Sequence, residues 1–123
     1  MKSIKELYRI GTGPSSSHTM GPRKAAEMFV ERHPDAASFK VTLYGSLAAT
    51  GKGHMTDVAI IDTLKTTAPV EIIWQPKVFL PFHPNGMTFA AFDANNKIQE
   101  NWTVYSIGGG ALAENNSNPT IES

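Results

Sequence analysis

Titratable and hydroxyl-bearing side chains are concentrated in three segments that glycine or proline flanks. The segments are Ser15-Ser-Ser-His-Thr19, Thr50-Gly-Lys-Gly-His-Met-Thr-Asp57 and His83-Pro-Asn-Gly86. Histidine is the side chain best suited to exchange a proton near neutral pH, and three of the four histidines lie in these segments. If the segments meet in space, they form a site with hydroxyl donors, imidazoles, one lysine and one carboxylate.

The first segment leads into a predicted helix start. Glycines and a proline before it interrupt regular structure, and Pro22 suits the first turn of a helix that we predict from about His18 to Arg32. Backbone N–H groups at a helix start, together with neighbouring hydroxyls, form a ready anion site. The anion can be a phosphate or a carboxylate, and the residues do not choose between them.

Each of these residues also has a structural interpretation. Ser17 or Thr19 can cap a helix, and Asp57 can do the same, while a loop histidine is more often hydrogen-bonded than catalytic. Gly51-Lys-Gly53 lacks the rest of a phosphate-loop pattern, and the histidine spacing matches no familiar zinc site. Composition and spacing therefore indicate a small-anion site without specifying its chemistry.

The helices and strands that must position these segments are predicted from the spacing of apolar residues. Together they indicate an α+β domain, with a small antiparallel or mixed sheet and helices packed on one face. Three helices are predicted, over residues 2–10, 18–32 and 57–64, and the β-branched residues of the third leave a strand open as its alternative. In the third, Thr56 or Asp57 is the expected cap, and the expected inward side chains are Val58, Ile61 and Leu64. A loop is predicted between Ser46 and Thr56.

Strands are predicted over residues 39–45, 70–74, 87–92 and 97–107, the last two forming a hairpin through Asp93-Ala-Asn-Asn96. We expect a single domain over residues 1–113, followed by a polar tail or linker end over residues 114–123.

The overall composition disfavours several classes of protein. Among 123 residues, eleven basic and eleven acidic side chains cancel, which disfavours a nucleic-acid or anionic-membrane surface. No apolar stretch approaches the roughly 20 residues of a membrane span, and the first residues do not resemble a signal peptide. Cysteine is absent, which excludes disulfides, a thiol nucleophile and thiolate metal ligands within this chain. We expect a cytoplasmic protein.

Four motifs in register carry a resemblance to a known family. They are Gly13–Pro22 followed by Lys24-Ala25, then Leu43–Ile60, Leu80–Met87 and Tyr105–Gly110. In this order they resemble the β part of the iron–sulfur L-serine dehydratases (L-serine ammonia-lyases). The resemblance covers most of the chain, from about residue 3 to residue 113.

The resemblance implies a carbon–nitrogen lyase that converts L-serine to pyruvate and ammonia in amino-acid catabolism and gluconeogenesis. The implied cofactor is a 4Fe-4S cluster, held by cysteines of an α chain or domain that is the expected partner. Pyridoxal phosphate is not involved. We therefore expect a β subunit or domain that is inactive alone and works in a homodimeric cytoplasmic assembly.

Carried over residue by residue, the resemblance makes His54 the candidate base, with Thr56 and Asp57 near enough in sequence to orient it. His83 and His18 are further candidates for acid/base or orienting roles. No metal ligand is assigned to this chain. The residues that would bind the substrate are Ser15, Ser16, Ser17, Thr19, Lys52, Thr56 and Asn85.

Two alternatives stay open. The β part also resembles a regulatory domain of some D-3-phosphoglycerate dehydrogenases, which binds an effector anion and performs no chemistry. The chain could also be a free-standing anion-binding module or an assembly subunit. The presence of both the Ser-Ser-Ser-His-Thr and the Lys-Gly-His-x-Thr-Asp motifs favours the dehydratase.

Overall fold

The computed structural model of the chain describes residues 4–8, 19–51, 56–108 and 111–115. These residues form six strands and three helices. In chain order they are β1 (Ile4–Tyr8), α1 (Met20–Arg32), β2 (Ser38–Tyr44), α2 (Gly45–Gly51), α3 (Thr56–Leu64), β3 (Val70–Gln75), β4 (Gly86–Phe92), β5 (Ile98–Gly108) and β6 (Ala111–Asn115).

The strands form one mixed sheet in the order β1-β6-β5-β4-β2-β3. The β2–β3 pair is parallel, and the other four pairs are antiparallel. Parallel neighbours need a crossover connection, which α2 and α3 supply between β2 and β3. The structure thus confirms the α+β prediction with a mixed sheet.

The core lies between one face of the sheet and the three helices. Along β2, buried and half-buried side chains alternate, and Phe39, Val41 and Leu43 are at most 2% exposed. Val41 lies opposite Phe89, which lies opposite Trp102, so one apolar row crosses three strands. The helices contribute to the same cluster through seven residues: Ala25, Ala26, Phe29, Leu47, Ala48, Ile60 and Leu64.

The prediction of a helix over residues 2–10 was wrong. Ile4–Tyr8 forms strand β1, which pairs antiparallel with β6. In a short segment with few apolar positions, their spacing fits both the helical period of 3.6 residues and the strand period of two. Pairing with a distant strand decides between helix and strand. Strand β6 was not predicted. It includes Glu114 and Asn115, and residues 116–123 of the predicted tail lie outside the described residues.

The prediction of a continuous loop from residue 46 to residue 56 was also wrong. Residues Gly45–Gly51 form helix α2, in which Leu47 is fully buried and Ala48 is 7% exposed. Burial of these two side chains against the sheet compensates for the glycines, which disfavour a helix.

Helix α3 confirms the predicted helix but not all of its predicted inward side. Leu64 is buried as expected, whereas Val58 is 40% exposed and Ile61 is half-buried. Ala59 and Ile60 face the core instead. The helix is so apolar that its sequence does not define one face, and packing against its neighbours selects the buried one.

A cluster of charged and aromatic side chains holds the C-terminal end of α1 on the sheet. Arg32 donates two hydrogen bonds of 3.2 Å to the carboxylate of Glu100, and His33 Nε2 also contacts this carboxylate. The Arg32 guanidinium lies 4.5 Å from the Trp102 ring, whose Nε1 donates a 2.7 Å hydrogen bond to Glu114. These contacts connect α1, β5 and β6.

We expect Glu100→Gln to lower the free energy of unfolding near neutral pH by about 0.5–1 kcal/mol, the scale of a partly exposed ion pair. Burial raises the pKa of Glu100, but hydrogen bonds from His33 and Arg32 and their charges outweigh it and hold the pKa below 4.5. The stabilisation is therefore present above pH 4.5 and is lost as the pH falls through the lower folded-state pKa. Urea unfolding across this range measures it.

Asp62→Asn is the matched control, because Asp62 pairs with Lys65 at an exposed position. Its effect at neutral pH should be smaller than that of Glu100→Gln. A stability difference between wild type and Glu100→Gln that persists unchanged at low pH would contradict the assignment.

Candidate functional site

The turn formed by His83–Gly86 is held from two sides. The backbone N–H of Ser46, at the start of α2, donates a 3.1 Å hydrogen bond to the carbonyl oxygen of Pro84. From β5, the backbone N–H of Ser106 donates a 3.0 Å bond to the carbonyl of Asn85. Asn85 Nδ2 in turn donates a 3.3 Å bond to the carbonyl of Ser106. The turn is thereby fixed at the end of the sheet where β2 and β5 finish and β4 begins.

The start of α1 reaches the same place. A Cβ atom added at Gly21 would lie 2.0 Å from Oγ and 2.8 Å from Cβ of Ser106, so the first turn of α1 touches β5 there. Thr19 occupies the N-cap position of α1, and its side chain makes no capping hydrogen bond to the helix. Thr19 therefore does not act as the side-chain cap that its type allows.

The start of α2 is equally close to the turn. Gly45 has a φ of +52°, a conformation that side chains disfavour, and an added Cβ would lie 2.8 Å from both Pro84 O and the Phe79 ring. Glycine is therefore required where β2 turns directly into α2.

His83 has a defined tautomer. Its Nδ1 accepts a 3.0 Å hydrogen bond from the backbone N–H of Asn85. A backbone N–H can only donate, so Nδ1 is unprotonated and the neutral ring carries its proton on Nε2. Burial lowers the pKa of His83 below 6.5, which also favours the neutral ring. His83 is thus arranged as a neutral hydrogen-bond donor through Nε2.

The lowered pKa predicts how His83 affects stability. Because the folded protein binds a proton at His83 less readily than the unfolded chain, stability falls as the pH drops below 6.5 toward the folded-state pKa. We expect His83→Gln to lose less stability than wild type between about pH 7.5 and about pH 5.5. Urea unfolding at both pH values measures the difference. Parallel pH profiles for the two proteins would contradict the assignment.

An aromatic pair lies beside the turn. The Phe82 and Tyr105 ring centroids are 4.8 Å apart, and the Tyr105 ring lies 6.4 Å from that of His83. Burial, with a smaller effect from Tyr44, raises the pKa of Tyr105 above 10.0, so its hydroxyl stays protonated near neutral pH. This side of the site is therefore uncharged.

Of the predicted site residues, the structure describes five. His83 and Asn85 lie in the turn, and Thr19 lies two residues before Gly21, where α1 meets β5. Thr56 is fully buried in the first turn of α3, and Asp57 follows it there. Both therefore lie inside the helix, not before it. Six further predicted residues lie outside the described residues: Ser15, Ser16, Ser17, His18, Lys52 and His54.

Sequence reasoning assigned no role to three residues that organise this end of the sheet. These are Gly21, Ser46 and Ser106, of which Ser106 is fully buried although it is polar. The motif Tyr105–Gly110 pointed to the segment without indicating which residue in it matters. Only the contacts of Ser106 with two distant segments reveal its place.

A separate cleft of about 460 Å³ lies at the opposite end of the sheet, where β2 and β3 begin, and none of the five described site residues line it. Within residues 4–8, 19–51, 56–108 and 111–115, no group of three or more His, Cys, Asp or Glu side chains could hold a metal ion. Over the same residues, no helix is long and apolar enough to cross a membrane.

The fold and its described contacts define the class of protein: a small α+β domain in which the starts of α1 and α2 meet a His-Pro-Asn-Gly turn at one end of a mixed sheet. The sequence profile of the family described as "Serine dehydratase beta chain" matches residues 3–75 and 62–117. The chain belongs to the serine dehydratase beta chain family, as its motifs predicted.

Individual relatives support the same membership. The L-serine dehydratase of Streptomyces coelicolor is 34% identical over 91% of this chain and 33% of its own length. The L-serine dehydratase of Haemophilus influenzae is 33% identical over 93% of this chain and 34% of its own length. L-serine dehydratase TdcG of Escherichia coli is 34% identical over 93% of this chain and 34% of its own length. The chain spans about a third of the length of these relatives.

The relatives also carry residues that this chain lacks within the aligned region. The alignment with the Streptomyces coelicolor protein runs over 152 residues, which is longer than the 123 residues of this chain. The two profile matches overlap at residues 62–75, from the last turn of α3 to the end of β3.

Proposed function

We propose that this chain is the β part of an L-serine dehydratase and contributes substrate-binding and acid/base residues to a site that a second, α part completes. The observation that carries the proposal is the family match across residues 3–117. It is supported by relatives that are named L-serine dehydratases and are about three times as long as this chain. No observation specifically favours the alternative of an effector-binding regulatory domain.

A 4Fe-4S cluster does not fit the residues of this chain. The sequence contains no cysteine and so offers no thiolate ligand. In the proposed assembly the α part holds the cluster. The steps assigned to this chain therefore involve its own imidazoles, hydroxyls and amides.

In the proposed reaction, L-serine loses water to give aminoacrylate, which hydrolyses to pyruvate and ammonia. The α-proton of serine is weakly acidic, so its removal needs a positioned base. We assign this role to His54, and Thr56 and Asp57, which follow it closely in the sequence, would orient it. His18 is a second acid/base candidate.

His83 is better suited to donate a hydrogen bond than to accept a proton. Its Nδ1 is occupied by the backbone N–H of Asn85, and its Nε2 carries the proton of the neutral ring. In our proposal Nε2–H binds an oxygen of the substrate. Asn85 acts on His83 through its backbone, and its side chain bonds to Ser106, so we assign it a positioning role.

The substrate carboxylate would be held at the start of α1. A helix N-terminus presents unpaired N–H groups and a partial positive charge. The hydroxyls of residues 15–17 and Thr19 would add hydrogen bonds, and Lys52 would add a positive charge. The cytoplasmic location, the homodimeric assembly and the contribution to gluconeogenesis are part of the same proposal.

The test is anaerobic pyruvate formation from L-serine, with this chain alone and then with a separately produced α part whose cluster is verified by its absorption spectrum. We expect activity in the mixture alone, lost on exposure to air. A mixture with an intact cluster but no pyruvate would overturn the dehydratase proposal. Calorimetric titration of the isolated chain with L-serine would then test the effector-binding alternative.

A further inference from the structure

We propose that Ser106 is a positioning residue, which through its contact with Gly21 sets the His83–Gly86 turn relative to the start of α1. The inference rests on the proposed function, because it assigns the two connected segments to one substrate site. It adds a residue to that site that does not itself touch the substrate.

Ser106 has an unusual position in β5. It is fully buried, and on the same face of the strand it follows Val104 and Trp102, which belong to the apolar core. A small side chain takes the place of a large one where the first turn of α1 packs on β5. Gly21 is the matching small residue, with room for no Cβ beside the Ser106 hydroxyl.

Gly21 is explained by its contact with Ser106 and not by the stability or backbone conformation of α1. Alanine is a better helix former than glycine, so helix stability alone would favour alanine at position 21. Its φ is not in the positive range, so backbone conformation does not require glycine either. What remains is the close approach of the α1 backbone to Ser106.

From Ser106 the connection continues to the histidine. The backbone of Ser106 exchanges hydrogen bonds with Asn85, accepting from Nδ2 at 3.3 Å and donating to the carbonyl at 3.0 Å. The backbone N–H of Asn85 then bonds to Nδ1 of His83 at 3.0 Å. A displacement of Ser106 by α1 therefore moves the group that fixes the tautomer and position of the His83 ring.

The experiment compares Gly21→Ala with the double variant Gly21→Ala/Ser106→Gly. The alanine Cβ would collide with Oγ and Cβ of Ser106, whereas the Ser106 Cα lies 3.5 Å away, an ordinary contact. We expect the single variant to shift the NMR signals of the His83 ring and the Asn85 side-chain amide in this chain. In the assembled enzyme it should raise KM for L-serine about tenfold, with kcat changed less than about threefold.

The double variant should return the NMR signals and KM toward wild type. Glu31→Ala is the matched control, an exposed position on the same helix, and it should leave both measurements unchanged. If Gly21→Ala does not fold, Ser106→Thr crowds the contact from the strand side and keeps the hydroxyl. It should shift the same signals and raise KM.

Unshifted His83 and Asn85 signals in a folded crowding variant would overturn the inference. A double variant no better than the single one would do so as well. These NMR results do not depend on turnover. Absence of pyruvate with the wild-type assembly would instead count against the proposed function, so the two failures are distinguishable.

Discussion

His54→Ala is expected to lower kcat for pyruvate formation by about 10²- to 10⁴-fold in the assembled enzyme, the range that a positioned general base contributes. His54 is the histidine of the Lys-Gly-His-Met-Thr-Asp motif and stands two positions before the first residue of α3 in the sequence. Removing the base should make proton abstraction slower, so L-serine deuterated at Cα should show a larger isotope effect with the variant than with wild type. Anaerobic steady-state assays measure both quantities.

The control for this experiment is His33→Ala, because His33 is the one histidine outside the three polar segments. It contacts Glu100 at the far end of α1, so its loss should reduce stability and leave kcat unchanged. Unchanged pyruvate formation in His54→Ala, with the cluster intact, would remove His54 from the role of base. His18 would then be the next candidate to replace.

Phe29→Ala is expected to lower the free energy of unfolding by about 3–5 kcal/mol. Phe29 is fully buried on α1 and packs against four other rings, of which that of His33 is 4.7 Å away between centroids. Its centroid lies 6.0 Å from that of Phe39, 5.4 Å from that of Phe89 and 6.1 Å from that of Trp102. The truncation leaves a cavity between α1 and the three strands that carry these rings, β2, β4 and β5. Urea denaturation followed by tryptophan fluorescence measures the loss.

Phe79→Ala is the matched control for the same chemical change. Phe79 is 60% exposed, so we expect it to cost less than about 1 kcal/mol. If Phe29→Ala leaves no folded protein, Phe29→Leu is expected to cost about 1–2 kcal/mol and keeps the comparison measurable. Equal losses for Phe29→Ala and Phe79→Ala would contradict the central place of Phe29 in the core.

The parts of the fold that were predictable are those with a local physical cause. In the β4–β5 hairpin, Oδ1 of Asp93 accepts hydrogen bonds from the backbone N–H groups of Asn95 and Lys97. Asn96 takes a φ of +64°, which asparagine tolerates better than most residues. The turn chemistry lies in four consecutive residues, and a sequence shows it directly. The same holds for Pro22 in the first turn of α1.

The elements that were mispredicted have a distant cause. Ile4–Tyr8 is a strand because β6, more than a hundred residues away, offers it an edge. Helix α2 forms because Leu47 and Ala48 find a place against the sheet. The exposed Val58 in α3 reflects which side of that helix its neighbours cover. None of these partners can be identified from the spacing of apolar residues within one segment.

The sequence by itself determined the residue types of the candidate site and the motifs that place the chain in its family. The tertiary structure decided which segments meet. It brings Gly21 to Ser106, Ser106 to Asn85, and Pro84 to Ser46. It also arranges His83 as a hydrogen-bond donor: a backbone N–H two residues away fixes its tautomer, and burial lowers its pKa, which favours the neutral ring. Such contacts follow from the order of strands in the sheet, which short-range patterns do not encode.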